Sequence, residues 1–588
     1  MRRAAFLLLA PVLAGCATTR PVAEAVRPVE VQILAINDFH GALEPPQLAV
    51  VAGGEPGAER RVPAGGAAHL ASAISALRQG RANSITVAAG DLTGGSPFAS
   101  SQFLDEPAIH ALNLIGLELN AVGNHEFDRG TAELRRLQNG GCVQNTALKP
   151  CRVDADFPGA RFRYLAANVK TADGKTLFPA TAMKSFGQGA DRVEIGFIGL
   201  TLEGTDALVA PDAIRDVAFA DEAETINTLV PELRRQGADA VVVLIHQGVY
   251  TEGRYNDKAC PGLSGALLPI LGKLDPGVDV VVSGHTHQAY VCDYGQADPA
   301  RPLLLTSAGS RGMLVTDITL SIDPRRGRVV ARRADNTIVQ SLPYDGPGGV
   351  LPIDPGFTAY PADPAVQALV ARYVAAAEPI ARRVVGRIGG PLQRARNASG
   401  ETQLGSLVAD AQAAATAAEI AFMNSFGLRA DLVPGSGGTV TFGQLYSVQP
   451  FGNVLQVKGL TGAQLRALLE QQFASGSNTV ERPNMLQVSR GFSYTYDLTR
   501  PAGQRIVSMT LNGSAIEDSR VYRVGLSNFL AAGGDNFTVF TAGRDLPGGG
   551  QEDVAALEAY VVKAGTIAPP PLGRIIRLDA PAAPPPED

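Results

Sequence analysis

The sequence contains no tryptophan, few histidines (seven) and few cysteines (five) in 588 residues. The missing tryptophan has no functional meaning. No block of Lys and Arg interrupts the chain and the net charge is only -6, so nothing points to a nucleic-acid polymer as partner. No C-x-x-C pair occurs, which disfavours a cysteine zinc site. Past the N-terminus, no segment is long and apolar enough to span a bilayer. The remainder, 45% hydrophobic and 18% charged, is ordinary for a globular protein. Its length suggests two or three domains.

The N-terminus carries an address. "MRRAAFLLLAPVLAGC" places two arginines before a short apolar run, then Leu13-Ala14-Gly15-Cys16. The run is too short for a mature membrane helix and reads as a secretory signal. Cys16 after "LAG" resembles a bacterial lipobox, which implies cleavage before Cys16 and lipidation of its thiol. No Asp follows Cys16 directly, which fits outer-membrane sorting in a Gram-negative cell. Residues 1–28 thus read as lipoprotein signal and tether. The chain is expected at the periplasmic face of the membrane or at the cell surface, held by lipid alone. Without Cys16, four cysteines remain: Cys142, Cys151, Cys260 and Cys292. An even number in an exported chain suggests two disulfides. Of the three possible pairings, Cys260 with Cys292 is preferred because it clips a longer loop; Cys142 with Cys151 would close a short polar one.

Residues 29–340 repeat one theme. An apolar run rich in β-branched residues appears, and polar residues follow at its C-terminal end. "VEVQILAI" precedes "NDFHG", "SITVAA" precedes "GDLTGG" and "LELNAV" precedes "GNHEFD". "ADAVVVLI" precedes "HQG", and "VDVVVS" precedes "GHTH". Such runs read as buried strands, and segments such as "TAELRRLQ" and "ETINTLVPELRRQ" carry helical patterning. Alternation of strand and helix indicates an α/β or layered α+β fold, with ligand-binding loops at the carboxyl ends of the strands. Residues 341–383 form a Pro- and Gly-rich linker and a bridging helix, which is a hinge candidate. Residues 384–577 form a second α/β domain in which "RVYRVGLSNFL" looks strand-like. The tail 578–588 has a disordered composition.

Five of the seven histidines lie at strand ends: His40, His125, His246, His285 and His287. His69 and His110 fall in helical segments and read as structural. Asp38, Asp91 and Asn124 accompany the five, a concentration that points to a metal centre. Imidazole and carboxylate ligands suit Zn²⁺ or Mn²⁺. The set is too large for one tetrahedral ion. Two ions about 3.5–4 Å apart, bridged by a carboxylate, fit better.

The blocks "DFHG", "GDLTGGSP", "GNHEFD", "HQG" and "GHTH" resemble, in order, the five motifs of the calcineurin-like metallophosphoesterases. The resemblance implies a four-layer β-sandwich flanked by helices. It implies that Asp38, His40 and His287 bind one ion, that Asp91 bridges, and that Asn124, His246 and His285 bind the second. His125 would face the phosphoryl group as catalyst, oriented by Asp128. Glu126 is expected to support the loop or point away. Downstream, "QPFGNVLQVKGLTGAQLRALLEQQ" and "LSNFLAAGGDNF" resemble the C-terminal domain of the 5'-nucleotidase family, a second α/β, substrate-binding domain. That resemblance implies that Phe451 and Phe529 sandwich a nucleobase, Asp535 accepts from ribose, Asn424 touches the base and Arg429 binds phosphate. Two departures stand out. Phe426 occupies a family glycine position in "NSFGLR", and Arg394 and Arg396, the candidates for an upstream phosphate arginine, are out of register. The expected activity is 5'-nucleotidase-type hydrolysis, with a UDP-sugar hydrolase or 2',3'-cyclic-nucleotide phosphodiesterase as alternatives. A thiosulfohydrolase or a non-catalytic nucleotide-binding lipoprotein ranks lower.

Overall fold

A computed structural model describes residues 27–55, 58–346 and 349–579. Cys16 and the expected signal, most of the tether and most of the tail lie outside these residues. The apolar runs form the expected strands. Val29–Ile36 is buried except at Glu30, and Ala240–His246 is buried throughout. Both lie inside sheets covered on two faces, which is why neither alternates apolar with polar residues.

Two six-stranded sheets build the first domain. The first runs Arg328–Ile338, Leu314–Asp323, Val29–Ile36, Ser84–Ala88, Leu119–Ala121, Arg163–Leu165, and its last four strands are parallel. The second runs Ala289–Asp293, Leu304–Ala308, Val280–Ser283, Ala240–His246, Val193–Thr201, Thr181–Phe186, with its four inner strands parallel. Val31, Ile33 and Val87 of the first sheet meet Phe197, Val242 and Leu244 of the second in one core. The opposite faces carry helices. Leu34 and Ile36 pack under Ala67–Arg78 and Glu106–Ile115. Val241 and Val243 pack under Glu222–Arg235. The result is a helix–sheet–sheet–helix stack, with the parallel strands of both sheets ending at the same edge.

The bridging helix is Pro364–Ala381, started by Pro364 and capped by Asp363, whose Oδ1 accepts from the Ala365 and Val366 amides at 3.0 Å. Its stripe of Val366, Leu369, Val370, Tyr373 and Ala377 is buried in the helical core of the first domain, and the Tyr373 hydroxyl donates to Asp154 at 2.8 Å. Beyond it, a five-stranded sheet orders Leu486–Val488, Ile420–Asn424, Val521–Ser527, Leu455–Thr461 and Arg544–Leu546. The strand read in "RVYRVGLSNFL" ends at Ser527, earlier than expected. There the Ser527 Oγ accepts from the Leu530 amide at 3.2 Å and starts the short helix Asn528–Ala531.

Both disulfides form, Cys142–Cys151 and Cys260–Cys292, separated by 9 and 32 positions in sequence. The longer loop contains the "GHTH" segment. Chain-entropy scaling assigns about 3.7 kcal/mol to the longer loop and about 2.7 kcal/mol to the shorter. Replacing Cys260 and Cys292 together by Ser should therefore lower stability by about 1 kcal/mol more than replacing Cys142 and Cys151, read from denaturant unfolding of the two variants.

Candidate active site

The five polar loops meet at the shared edge. Asp38, His40 and His287 bring ligand atoms within 4.8 Å of one another, as do Asp38, Asp91 and His246. The Asp91 Oδ2 is 3.0 Å from His246 Nε2 and 3.7 Å from His40 Nε2, so one carboxylate reaches both groups. The Asn124 Oδ1 lies 3.1 Å from His246 Nε2 and 3.2 Å from His285 Nδ1, which adds Asn124 and His285 to the second group. All seven expected ligands therefore gather in one cluster.

The residues fit divalent cations. His40 Nδ1 lies 2.8 Å from the Gly94 carbonyl and His246 Nδ1 lies 2.8 Å from the Ala89 carbonyl. A carbonyl only accepts, so each Nδ1 carries a proton and each Nε2 faces Asp91. On the neutral His40 that Nε2 is a lone pair, and a lone pair facing a carboxylate in a buried space calls for positive charge. Burial depresses His40 and His287, and it lowers His285 to about 3, leaving neutral ligands. Burial also opposes charge on His246, but the Asp91 carboxylate outweighs it and pushes this imidazole up to about 10. A cation binding here displaces that proton.

The ligand loops carry backbone strain. Asp38, His40, Asp91, His285 and His287 all take left-handed φ values between 47° and 69°, a conformation that costs non-glycine residues on the order of 1 kcal/mol or more each. The glycines of "GD" and "GN" are required by close approach. A Cβ on Gly123 would collide with Asp91 Oδ1, and one on Gly90 would meet His246 Nδ1 at 2.5 Å.

Glu126 has the loop-supporting role rather than pointing away. Buried at 3% exposure, it accepts at Oε2 from the amides of Asp91 (2.9 Å) and Gly123 (2.6 Å), and at Oε1 from those of Leu92 (2.7 Å) and Thr93 (3.3 Å). One carboxylate thus clamps the Asp91 loop to the Asn124 loop. Asn37, which the motif reading did not single out, does the same for the Asp38 loop. It donates to Asp38 Oδ2 at 2.6 Å and to the Gly309 carbonyl at 2.7 Å, and accepts from the Ala308 amide at 2.7 Å. Its place beside Asp38 in "NDFH" is the only sequence signal for it.

His125 stands apart from the ligand set. Its Nδ1 is 3.0 Å from Asp128 Oδ2, and its amide donates to Asp91 Oδ1 at 2.9 Å. Burial works against its charge, but Asp128 and Asp91 prevail and raise it above the ordinary histidine value.

The second domain reaches this cluster. The Phe451 ring stacks on His125 at 5.4 Å with 9° between planes. The Arg429 guanidinium lies 5.6 Å from the Phe451 centroid, and its Nη2 is buried with no hydrogen-bond partner. Asp535 is buried, accepts from Asn424 Nδ2 at 2.7 Å, and feels the charges of Arg429 and His125. Phe529 is half-buried and packs against Gly534. Arg394 is exposed, with its Nε 3.5 Å from Asp431, but its charge reaches Arg429. Arg396 is not brought to the site: its Nη1 donates to the Pro483 carbonyl. Phe426 is 56% exposed. Elsewhere on the interface, Arg482 lies over the Tyr250 ring and donates to Ser264 Oγ at 2.7 Å.

Stacked sheets, strand-end histidines and an aspartate that reaches both ligand groups fit the calcineurin-like phosphoesterase class, whose family matches residues 31–289. Residues 384–542 match the 5'-nucleotidase C-terminal domain. With both domains in this order, the chain belongs to the 5'-nucleotidase family. It is 29% identical to the Endonuclease YhcR of Bacillus subtilis (strain 168) over 91% of its own length and 40% of that protein. It is 31% identical to the Cell wall protein Lmo0130 of Listeria monocytogenes over 87% of its own length and 64% of that protein. The chain therefore spans less than two thirds of either relative. Among solved structures it resembles a 5'-nucleotidase precursor from Thermus thermophilus, with a TM-score of 0.72 and 26% identity, covering 94% of this chain and 100% of that one. Among the described residues, no helix is long and apolar enough to cross a membrane.

Glu126→Gln would turn an amide NH₂ against two of the four backbone donors. Loss of such support typically weakens metal binding by about 10–100-fold. Competition with a fluorescent chelator should register that loss in the variant, alongside a retained cooperative melt.

Proposed function

We propose that this protein is an exported two-metal phosphoesterase that hydrolyses nucleotides to nucleoside and phosphate. The observation that carries this reading is the meeting of two domains at one point: Phe451 and Arg429 of the second domain, the latter with a buried Nη2 that has no hydrogen-bond partner, lie against His125 and the ligand cluster of the first. Asp38, His40 and His287 would hold one ion, Asn124, His246 and His285 the other, and Asp91 both. Zn²⁺ or Mn²⁺ suits these donors. Such ions supply Lewis acidity, neutralising phosphate charge and lowering the pKa of water.

The chain's own groups do the rest. Arg429 would turn its guanidinium, whose buried Nη2 has no hydrogen-bond partner, to phosphoryl oxygens. His125, kept cationic by Asp128, stabilises developing charge or gives its proton to the leaving oxygen. Phe451 and Phe529 offer flat apolar faces to a base, while Asp535 and Asn424, hydrogen-bonded to each other, would read ribose and base. Because the site draws on both domains, turnover calls for their approach and separation. The bridging helix is packed on the first domain, so the hinge would lie at its end, near residues 382–384. The two disulfides suit an oxidising compartment, and a lipid on Cys16 would tether the enzyme to the membrane.

AMP should be hydrolysed far more efficiently than a small aryl phosphate, and Phe529→Ala should raise KM for AMP while leaving the aryl phosphate nearly unaffected. Equal efficiency on both substrates, or equal losses, would defeat the nucleotide reading. Asp128 tests the acid. His125 works protonated, so the rate falls as pH rises through its pKa. Asp128→Asn removes a charge that raises this pKa, and the alkaline limb of the pH–rate profile should move to lower pH.

A further inference from the structure

Beyond "HQG" the chain leaves the His246 loop as an arm that runs from Tyr250 to Ser264. Its two ends pair: the Tyr250 amide donates to the Ser264 carbonyl at 2.7 Å, and the Ser264 amide to the Tyr250 carbonyl at 3.0 Å. Within the arm, Cys260 is joined to Cys292. The base of the arm is fixed to the ligand loops. The Val249 amide donates to the Tyr290 hydroxyl at 3.1 Å. Thr286, between His285 and His287, donates its hydroxyl to the Val249 carbonyl at 3.0 Å.

Arg482 of the second domain lands on this arm. Its guanidinium lies 3.3 Å from the Tyr250 ring centroid, and its Nη2 donates to Ser264 Oγ at 2.7 Å. Its Nη1 is buried without a hydrogen-bond partner. A cation over a desolvated ring gains more than at an exposed one, and the unpartnered N–H subtracts from that gain. The net gain is modest, as suits a contact between domains that must also part. The segment that carries Arg482 leads to the substrate side. The Arg482 amide donates to Thr479 Oγ1 at 3.1 Å. The neighbouring Asn478 donates from Nδ2 to the Asp535 carbonyl at 2.9 Å, and Ser475 Oγ donates to the Asn536 carbonyl at 2.6 Å. One short segment thus grips the arm of the first domain at one end and the backbone of Asp535 at the other.

We propose that Arg482 is a positioning residue: by docking on Tyr250 and Ser264 it sets where Asp535 stands relative to the ligand cluster, and so assembles the two-domain site. This rests on the nucleotidase reading above and deepens it by naming the contact that brings the halves together. Arg482 itself touches no reacting atom. Weakening its contact lowers the fraction of chains in which both halves are assembled, and the apparent affinity for a substrate that spans them falls with that fraction. A saturating substrate restores assembly through its own contacts, so the maximal rate is preserved.

The test measures KM and kcat for AMP and for a small aryl phosphate on the Mn²⁺-loaded full chain, in the unaltered protein, Arg482→Gln, Arg482→Lys, Tyr250→Leu and the Arg482→Gln/Tyr250→Leu pair. Arg482→Gln should raise KM for AMP by about 10-fold and leave kcat within about 2-fold. The aryl phosphate, which draws chiefly on the first domain, should lose less than about 3-fold in kcat/KM. Arg482→Lys keeps a cation for the ring and a donor for Ser264, and should recover part of the AMP loss. Because the two side chains act as one contact, the pair should cost little more than the larger single change. An unchanged KM, equal losses on both substrates, a fall in kcat in place of the rise in KM, or losses that multiply in the pair would each overturn the proposal. Failure of the nucleotidase reading looks different: the unaltered protein then turns over AMP no better than the aryl phosphate. Hydrogen exchange tests the docking without turnover. Arg482→Gln should speed exchange at the Tyr250 and Ser264 amides while a cooperative melt is retained, and unchanged exchange there would overturn the docking role.

Discussion

Glu126 holds the active edge together. Its carboxylate receives four backbone N–H groups from two loops, and those loops carry Asp91, which reaches both ligand groups, and Asn124 and His125, which complete the site. Backbone amides are obligatory donors when buried, so removing this acceptor leaves the loops without an alternative. The same clamp maintains the left-handed backbone at Asp91. Strain of this kind persists only where surrounding structure over-determines it. Here the determinants are Glu126, Asn37 and glycines too crowded to accept a side chain.

The first domain brings a set of ligands and the His125–Asp128 pair, while the second brings positive charge and aromatic faces. Neither half is chemically complete. Arg429 has a buried nitrogen with no partner in its own domain, and the His125 ring is faced by Phe451 across the interface. The bridging helix adds a constraint, because its apolar stripe makes it part of the first domain's core. The second domain is therefore anchored where that helix ends, at Ala381.

Much of this was legible in the sequence because parallel strands buried on two faces leave continuous apolar runs, and polar residues at their ends stand out. The runs before Asp38, Asp91, Asn124, His246 and His285 are all strands, and their loops converge. Pairing of the two sheets is not legible from the runs themselves, since a buried strand has no polar face to report its partner; the four layers came from family resemblance. Glu126 was seen but not its four partners, because a side chain that binds backbone amides leaves no pattern in residue types. Arg396, close in sequence to Arg394, is held on the Pro483 carbonyl instead, a difference that spacing alone does not reveal.

The proposed mechanism requires two divalent ions, joined through Asp91, to act together. Titration of Mn²⁺ into chelated and dialysed protein, with bound metal and AMP hydrolysis measured on the same samples, decides whether they do. Hydrolysis should begin only as the second equivalent binds and should saturate at two ions per chain. Full activity at one ion per chain, or activity that persists in the chelated protein, would rule out a paired-ion site.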